Sequence, residues 1–138
     1  MNRDRLRKQL VAHEGLRLKP YRDTVGKLTI GVGRNLDDVG VTEDEALGLL
    51  DGDVDRVEGH LRAAVPCFGS LDDVRQRVLA DMAFNLGVPG LLKFKAALAA
   101  VAARKFDEAA AEMLASAWAG QVKGRAETLA RMMRTGAD

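Results

Sequence analysis

The sequence predicts an α+β fold that is mainly helical, with a small β-hairpin sheet near the amino terminus. From Thr42 onward, apolar residues recur at three- and four-residue spacing, which is typical of helices that bury one face. Between residues 16 and 30, two short extended segments flank the run Asp23-Thr24-Val25-Gly26-Lys27, a pattern typical of a hairpin turn. At 138 residues the chain is long enough to bury a sizeable core, and we expect one domain.

The first helix is bounded by a start signal and a stop signal. Asn2 is a favourable N-cap, and Gly15 favours a helix end, so Glu14 is expected in the last turn. The negative end of the helix dipole disfavours a charge at that position. The apolar stripe of this helix is formed by Leu6, Leu10 and Val11.

The rest of the chain is predicted to be helical. Thr42 and Glu45 have the spacing of a capping box, and they open a long helix that ends near Pro66. Its predicted apolar face consists of Ala46, Leu49, Leu50, Val54, Val57 and Leu61. The next helix is expected to start at Ser70 with Asp73 and to end at a break at residues 87–90. Two further helices are expected from Leu91 to Arg104 and from Asp107 to about Ala115. After a loop bracketed by Gly120 and Gly124, the last helix is expected from Arg125 or Ala126 to about Met133.

Composition and charge exclude several functional classes. The net charge is +1 and both signs are interspersed, so nucleic-acid binding is poorly supported. The single cysteine, Cys67, excludes an intrachain disulfide and is expected to act as a small buried hydrophobic residue. His13 and His60 lie far apart, so no metal site is predicted, and both are expected on the surface.

The amino terminus does not resemble a targeting segment. The first eight residues are charged and no hydrophobic run follows them, so we predict no signal peptide. No run approaches the length of a membrane span. We therefore expect a protein that is made in the cytoplasm and has no stable association with membranes.

Glu14, Asp23 and Thr29 form a candidate catalytic group. Two carboxylates in different surroundings are the minimal equipment for acid/base cleavage of a glycosidic bond. A hairpin would place Asp23 and Thr29 close together, facing the end of the helix that carries Glu14, and Arg22 and Lys27 are expected to favour the charged form of Asp23. Taken singly, the three residues also fit a solvated helix end, a turn aspartate and an ordinary strand threonine.

The stretch from Glu14 to Gly33 resembles the active-site segment of the phage-type lysozymes, the T-even phage endolysins and their relatives in glycoside hydrolase family 24. Further similarities to this family follow in family order across nearly the whole chain. They are Ala83-Phe84-Asn85-Leu86-Gly87, Phe106-Asp107-Glu108-Ala109-Ala110, Trp118, Gly124-Arg125-Ala126 and Arg134-Thr135-Gly136.

The resemblance implies a two-lobed lysozyme-like fold. The hairpin lobe would comprise about residues 14–60, including the connecting helix, and the helical lobe about residues 1–12 plus 65–138. The implied activity is hydrolysis of the β-1,4 bond between N-acetylmuramic acid and N-acetylglucosamine in peptidoglycan, for host-cell lysis. The enzyme would be a monomer without a cofactor, released to the periplasm through a separately encoded pore.

The resemblance also implies roles for individual residues. Glu14 would be the general acid, Asp23 would stabilise an oxocarbenium-like transition state, and Thr29 would hold the attacking water. A water nucleophile favours inversion. The implied substrate-binding residues are Gly33, Phe84 and Asn85, although Phe84 fits a core position equally well.

Two alternatives and two departures accompany this interpretation. One alternative is a lytic transglycosylase, which would cut the same bond without water; the retained Asp23 and Thr29 argue against it. The other is a non-catalytic peptidoglycan-binding module, which would need no acid; the retained Glu14 argues against it. Arg34 stands where the best-known relatives carry a histidine, and the segment 35–41 is short for the family. The family's substrate subsites therefore do not transfer to this region.

Overall fold

The structure is a computed structural model that describes residues 1–138. The chain forms two compact units, Met1–Leu49 and Leu50–Asp138, which are described separately below. About 65% of the residues are helical, and one small three-stranded antiparallel sheet accompanies eight α-helices. The predicted mainly helical α+β class is therefore confirmed. The division into lobes inferred from the family, with residues 1–12 assigned to the helical lobe, remains a prediction.

The first unit contains one complete helix, the whole sheet and the start of a long helix. Its elements are α1 (Arg3–Glu14), β1 (Arg17–Arg22), β2 (Leu28–Gly31), β3 (Arg34–Asn35) and the first residues of α2 (Glu43–Ala64). The Asn2 side chain accepts a hydrogen bond from the Arg5 N–H at 2.9 Å, and α1 ends at Gly15 with φ +78°. Both predicted boundaries of α1 are confirmed.

The sheet is a meander in the order β1-β2-β3, and both pairings are antiparallel. Tyr21 pairs with Thr29 across the first hairpin, and Thr29 pairs with Asn35 across the second. The ladder between β1 and β2 is irregular between Arg17 and Tyr21. Thr29 therefore lies on the central strand, where it is only 3% exposed.

The long helix α2 begins with the predicted capping box. The Thr42 N–H donates to Glu45 Oε2 at 2.9 Å, and the Glu45 N–H donates to Thr42 Oγ1 at 3.2 Å. The predicted apolar face, however, is covered only at its carboxyl end, where Leu61 is fully buried. The exposed members of that face include Leu49, Leu50 and Val54.

The second unit packs helices around one hydrophobic core. Its elements after α2 are a 3-10 turn (Phe68–Ser70), α3 (Asp73–Leu86), α4 (Val88–Leu91), α5 (Lys95–Ala102), α6 (Phe106–Leu114), α7 (Ala117–Val122) and α8 (Gly124–Thr135). Its largest fully buried side chains are Leu61, Val78, Leu79, Met82, Leu91, Val101, Met113 and Met133. Burying each of these stabilises the fold by about 1.5–3 kcal/mol relative to exposure.

The guanidinium of Arg75 ties the carboxyl end of α8 to α3. Its Nε–H donates to the Met133 carbonyl at 2.8 Å, and Nη2 donates to the Arg134 carbonyl at 3.0 Å. The same group lies 3.6 Å from the centre of the Phe106 ring. One partly buried cation therefore satisfies helix-end carbonyls that have no partner within the helix.

Several predicted helix boundaries in this unit were wrong. Ser70 does not start α3; its hydroxyl donates to the Cys67 carbonyl at 2.8 Å, and Asp72 is the N-cap, accepting from the Arg75 N–H at 3.0 Å. Residues 88–91 form a short helix, where the prediction placed a break. The predicted helix from Leu91 to Arg104 is confined to Lys95–Ala102.

Three remaining predictions about side chains can be compared with the structure. His13 and His60 are exposed, as predicted. Cys67 is only partly buried, and it packs against the core. None of the helices combines the length and the apolar character that crossing a membrane requires.

The predicted loop around residues 120–124 is replaced by two helices that meet at Lys123. Gly120 lies inside α7, and Gly124 is the first residue of α8. Lys123 has φ +48° and ψ −114°, a conformation that costs a residue with a side chain about 1–3 kcal/mol. Glycine adopts positive φ without this cost.

Replacing this lysine with glycine, Lys123→Gly, is expected to raise the free energy of unfolding by about 1 kcal/mol, because the strain at positive φ is relieved. Urea unfolding followed by circular dichroism measures the change. The control is Gln121→Gly in α7, which should lower stability by about 0.5–1 kcal/mol, since glycine weakens a helix interior. Equal effects of the two substitutions would contradict strain at Lys123.

Candidate active site

The β1–β2 turn is built around the carboxylate of Asp23. Its Oδ1 accepts hydrogen bonds from the N–H groups of Val25, at 3.0 Å, and Lys27, at 2.8 Å. The Asp23 N–H in turn donates to the Lys27 carbonyl at 2.9 Å, and Gly26 supplies the positive φ of +83° that the turn requires. One carboxylate oxygen therefore fixes the turn, whereas Oδ2 has no hydrogen-bond partner within the chain.

Thr29 is linked to the same turn through the backbone of Lys27. Its hydroxyl donates to the Lys27 carbonyl at 2.9 Å. Because the single hydroxyl proton is used in this bond, the remaining capacity of Thr29 Oγ1 is that of an acceptor. Asp23 and Thr29 thus bind the amide and the carbonyl of one residue, and the hairpin brings them together as predicted.

Glu14 lies against Gly33 at the turn between β2 and β3. A Cβ added to Gly33 would lie 3.3 Å from Glu14 Oε2 and 3.6 Å from its Cδ. Gly33 also has φ +74°, a conformation in which a side chain is strained. The carboxylate of Glu14 has no hydrogen-bond or ion-pair partner within the chain, and Glu14 is exposed at the end of α1.

The expected cations beside Asp23 pair with other carboxylates. The guanidinium of Arg22 lies 3.7 Å from Asp37 Oδ2, and Lys27 Nζ donates to Asp38 Oδ1 at 3.0 Å. Neither Arg22 nor Lys27 forms an ion pair with Asp23, and the expectation that they favour its charged form stays a prediction. Both cations instead anchor the short segment after β3.

Arg34 links β3 to the first turn of α2. Its Nη1 and Nη2 donate to the two carboxylate oxygens of Glu45 at 2.8 and 2.9 Å, and Nη1 also donates to the Gly40 carbonyl at 3.1 Å. These hydrogen bonds from Arg34, aided by the N–H of Thr42, lower the pKa of Glu45 to about 2. Arg34 is the residue that departs from the family pattern, and its pair with Glu45 was not predicted.

An open groove of about 790 Å³ runs along the first unit beside Gly33. Its polar walls are supplied by Arg34, Asn35 and Glu45. The apolar lining comprises Ile30, Val32, Val39, Val41 and Leu49. A concave surface with mixed apolar and polar walls is suited to a ligand that carries both hydroxyl groups and apolar ring faces; Gly33 contributes to it, whereas Glu14 is not part of its lining.

The other two predicted binding residues belong to the second unit. Phe84 is 49% exposed and lines an open groove of about 700 Å³ with Leu50, Val54 and Met132; it is therefore not a core residue. Asn85 Oδ1 accepts a hydrogen bond from the Trp118 indole N–H at 3.0 Å. No group of three or more His, Cys, Asp or Glu side chains is placed to hold a metal ion.

Comparison with known proteins identifies the family. The sequence profile described as phage lysozyme matches residues 11–134, which include Glu14, Asp23, Thr29, Gly33, Phe84 and Asn85. The chain belongs to the phage lysozyme family. This match confirms the prediction of a lysozyme, a glycoside hydrolase that acts on peptidoglycan.

Individual proteins show similarity over most of this chain. Two probable T4-type lysozymes of Dictyostelium discoideum are each 27% identical; the alignments cover 95% of this chain and 94% of lysozyme 2, and 89% of both this chain and lysozyme 1. The pre-baseplate central spike protein Gp5 of Enterobacteria phage T4 is 30% identical over 89% of this chain. The alignment spans only 26% of the length of that spike protein.

We expect Gly33→Ala to reduce lysozyme activity more strongly than Gly31→Ala. Both glycines have positive φ, +74° and +70°, so both alanines introduce backbone strain of about 1–3 kcal/mol. Only the alanine at position 33 would press on the Glu14 carboxylate, since nothing lies within 4 Å of a Cβ at Gly31. The rate on soluble peptidoglycan fragments, measured with folded proteins, tests the difference; equal rates would contradict it.

Glu45→Gln is expected to remove a part of the stability that depends on pH. The pKa of Glu45 in the folded state is about 2, against an ordinary value of 4.5. The ionised carboxylate therefore makes its full contribution to the free energy of unfolding above about pH 4.5. That contribution is lost as the pH falls from about 4.5 to about 2. The stability difference between wild type and Glu45→Gln should therefore shrink across this range in urea unfolding. A difference that does not change with pH would contradict the assignment.

Proposed function

We propose that this protein is a muramidase that hydrolyses the β-1,4 bond between N-acetylmuramic acid and N-acetylglucosamine, with inversion at the anomeric carbon. The observation that carries the proposal is the contrast between the two carboxylates of the first unit. Glu14 has no partner in the chain and lies against a bare glycine, whereas Asp23 is held by two backbone N–H groups. An acid and a charged stabiliser need such different surroundings.

In this mechanism Glu14 donates its proton to the leaving glycosidic oxygen. The bond to the anomeric carbon then breaks, and positive charge develops on the ring oxygen and that carbon. The free Oδ2 of Asp23 would stabilise this charge and accept a proton from the attacking water. The bonds from Val25 and Lys27 to Oδ1 keep the carboxylate oriented throughout.

The hydrogen bond of Thr29 sets the orientation of the attacking water. Since the Thr29 hydroxyl donates its hydrogen bond to the Lys27 carbonyl, a water bound at Thr29 Oγ1 would have to donate a hydrogen bond to that oxygen. If the water donates its second hydrogen bond to Asp23, the lone pairs of the water oxygen are free to attack the anomeric carbon, and Asp23 can then accept that proton. A nucleophilic water of this kind favours inversion and is absent from a lytic transglycosylase.

We propose that Gly33, Phe84 and Asn85 contribute to substrate binding, and that the enzyme acts as a monomer without a cofactor. The biological setting we propose is host-cell lysis, in which the protein reaches the periplasm through a separately encoded pore. Lysis of a producing culture only when a pore-forming protein is co-expressed would support this setting. Lysis without the pore protein would contradict it.

Product analysis on purified peptidoglycan tests the reaction. Hydrolysis releases reducing ends, whereas a transglycosylase would give a 1,6-anhydro product that is lighter by one water in mass spectrometry. Neither product would form with a binding module. NMR of the first product formed from a soluble fragment distinguishes inversion from retention.

Glu14→Gln should lower the rate by about 10²–10⁴-fold, because the amide cannot donate a proton to the leaving oxygen. The matched control is Glu43→Gln, which alters another exposed glutamate of the first unit and should leave the rate unchanged. A folded Glu14→Gln variant that retains more than about a tenth of the activity would exclude Glu14 as the general acid.

Asp23→Asn separates the charge of Asp23 from its structural role. The amide oxygen can still accept from the Val25 and Lys27 N–H groups, so the turn should persist and the melting temperature should change little. The rate should nevertheless fall by about 10²-fold or more, since the charge that stabilises the transition state is lost. A folded variant with the wild-type rate would remove Asp23 from the mechanism.

A further inference from the structure

The third strand of the sheet is short, and only one further backbone hydrogen bond, from the Leu36 N–H to the Leu28 carbonyl at 2.7 Å, follows it. β3 contains only Arg34 and Asn35, which pair with Ile30 and Thr29. Strand ends with so few ladder hydrogen bonds open at low free-energy cost. The turn before β3, which contains Gly33, therefore depends on contacts outside the sheet.

Arg34 supplies such a contact to Glu45 in the first turn of α2, which the capping box already fixes. The bidentate pair with Glu45 joins a planar guanidinium to a planar carboxylate, a geometry that restrains both direction and distance. Glu45 is oriented independently by the capping box with Thr42. A third bond, from Nη1 of Arg34 to the Gly40 carbonyl, ties down the loop between β3 and α2.

We call the hydrogen bonds of Arg34 to Glu45 and Gly40 the Arg34 clamp. The clamp acts one residue away from the contact between Gly33 and Glu14. Gly33 precedes Arg34 directly, and its Cα faces the Glu14 carboxylate closely enough that an added Cβ would lie 3.3 Å from Oε2. A displacement of β3 would move Gly33 and change the wall against which the carboxylate rests. The contacts run from the first turn of α2 through Glu45, Arg34 and Gly33 to Glu14.

We propose that Arg34 is a positioning residue for Glu14: its clamp on Glu45 and Gly40 holds the Gly33 turn against the Glu14 carboxylate. The inference rests on the proposed role of Glu14 as the general acid. Arg34 makes no direct bond to Glu14, and its guanidinium is engaged by Glu45 and Gly40. Its effect should therefore appear in the rate of the chemical step and not in substrate affinity.

The test compares Arg34→Gln and Arg34→Lys with the control Arg56→Gln. Arg56 forms an exposed ion pair with Asp53 on α2, so its replacement removes a surface pair without touching the clamp. Initial rates on soluble peptidoglycan fragments are measured at a temperature at which melting curves show each protein to be folded. Arg34→Gln should lower kcat about tenfold, since small misplacements of catalytic groups are costly.

Two further results are expected from this comparison. Arg34→Lys should retain an intermediate kcat, because an ammonium keeps the charge but not the bidentate geometry. KM should stay within about twofold of wild type in both variants, since the guanidinium of Arg34, although it lines the groove, is engaged by Glu45 and Gly40. In NMR spectra, the side-chain carboxyl signal of Glu14 should shift in Arg34→Gln and not in Arg56→Gln; Glu14 is 20 residues away from the substitution in the sequence, so a shift there reports a change in the contact.

Distinct outcomes overturn the inference and the proposed function. A folded Arg34→Gln variant with wild-type kcat overturns the inference, and a raised KM with unchanged kcat would make Arg34 a substrate contact. If the wild-type protein releases no reducing ends, the proposed function fails. The NMR comparison then tests the positioning role alone, and an unchanged carboxyl signal of Glu14 in Arg34→Gln overturns it.

Discussion

The two hydrogen bonds to Asp23 Oδ1 are the constraint on which the first unit depends. They close the turn that sets the register of β1 against β2, with Tyr21 opposite Thr29. A slip of one residue would turn every side chain of β2 to the opposite face. Thr29 would then lose its buried position, and the turn that carries Gly33 would move relative to Glu14. The register of one hairpin thus determines where Asp23, Thr29 and Gly33 lie relative to Glu14.

The range of the interactions explains which parts of the structure the sequence predicted. Among the side-chain hydrogen bonds of the first unit, the most distant partners, such as Arg34 and Glu45, are 11 residues apart. Local signals therefore sufficed for the cap at Asn2, the hairpin and the capping box. In the second unit, Arg75 binds a carbonyl 58 residues away, and Trp118 binds Asn85 across 33 residues. These long-range contacts determine how the helices pack, which no local pattern encodes, although the start of α3 is itself fixed by a local cap at Asp72.

Periodicity predicts an element but not what covers it. The apolar face of α2 has helical spacing, yet Leu49, Leu50 and Val54 are exposed and only Leu61 is fully buried. The Arg34–Glu45 pair was not predicted, because capping-box spacing specifies only the bonds between Thr42 and Glu45 and not a second partner. The available signal was the equal number of opposite charges in this region, with acidic residues at 37, 38 and 45 and basic residues at 22, 27 and 34.

The backbone of Lys27, and not its ammonium group, connects the two candidate residues that would handle water. Its N–H binds Asp23 and its carbonyl accepts from Thr29, while the side chain pairs with Asp38. Electrostatic reasoning from the sequence assigned Lys27 to Asp23 as a neighbouring charge. In the structure, Lys27 contributes to this pair of residues only its backbone N–H and carbonyl, and any residue that can form this turn offers the same two groups. The relative placement of Asp23 and Thr29 is therefore a property of the turn, and the identity of the side chain at position 27 matters chiefly for holding the segment after β3.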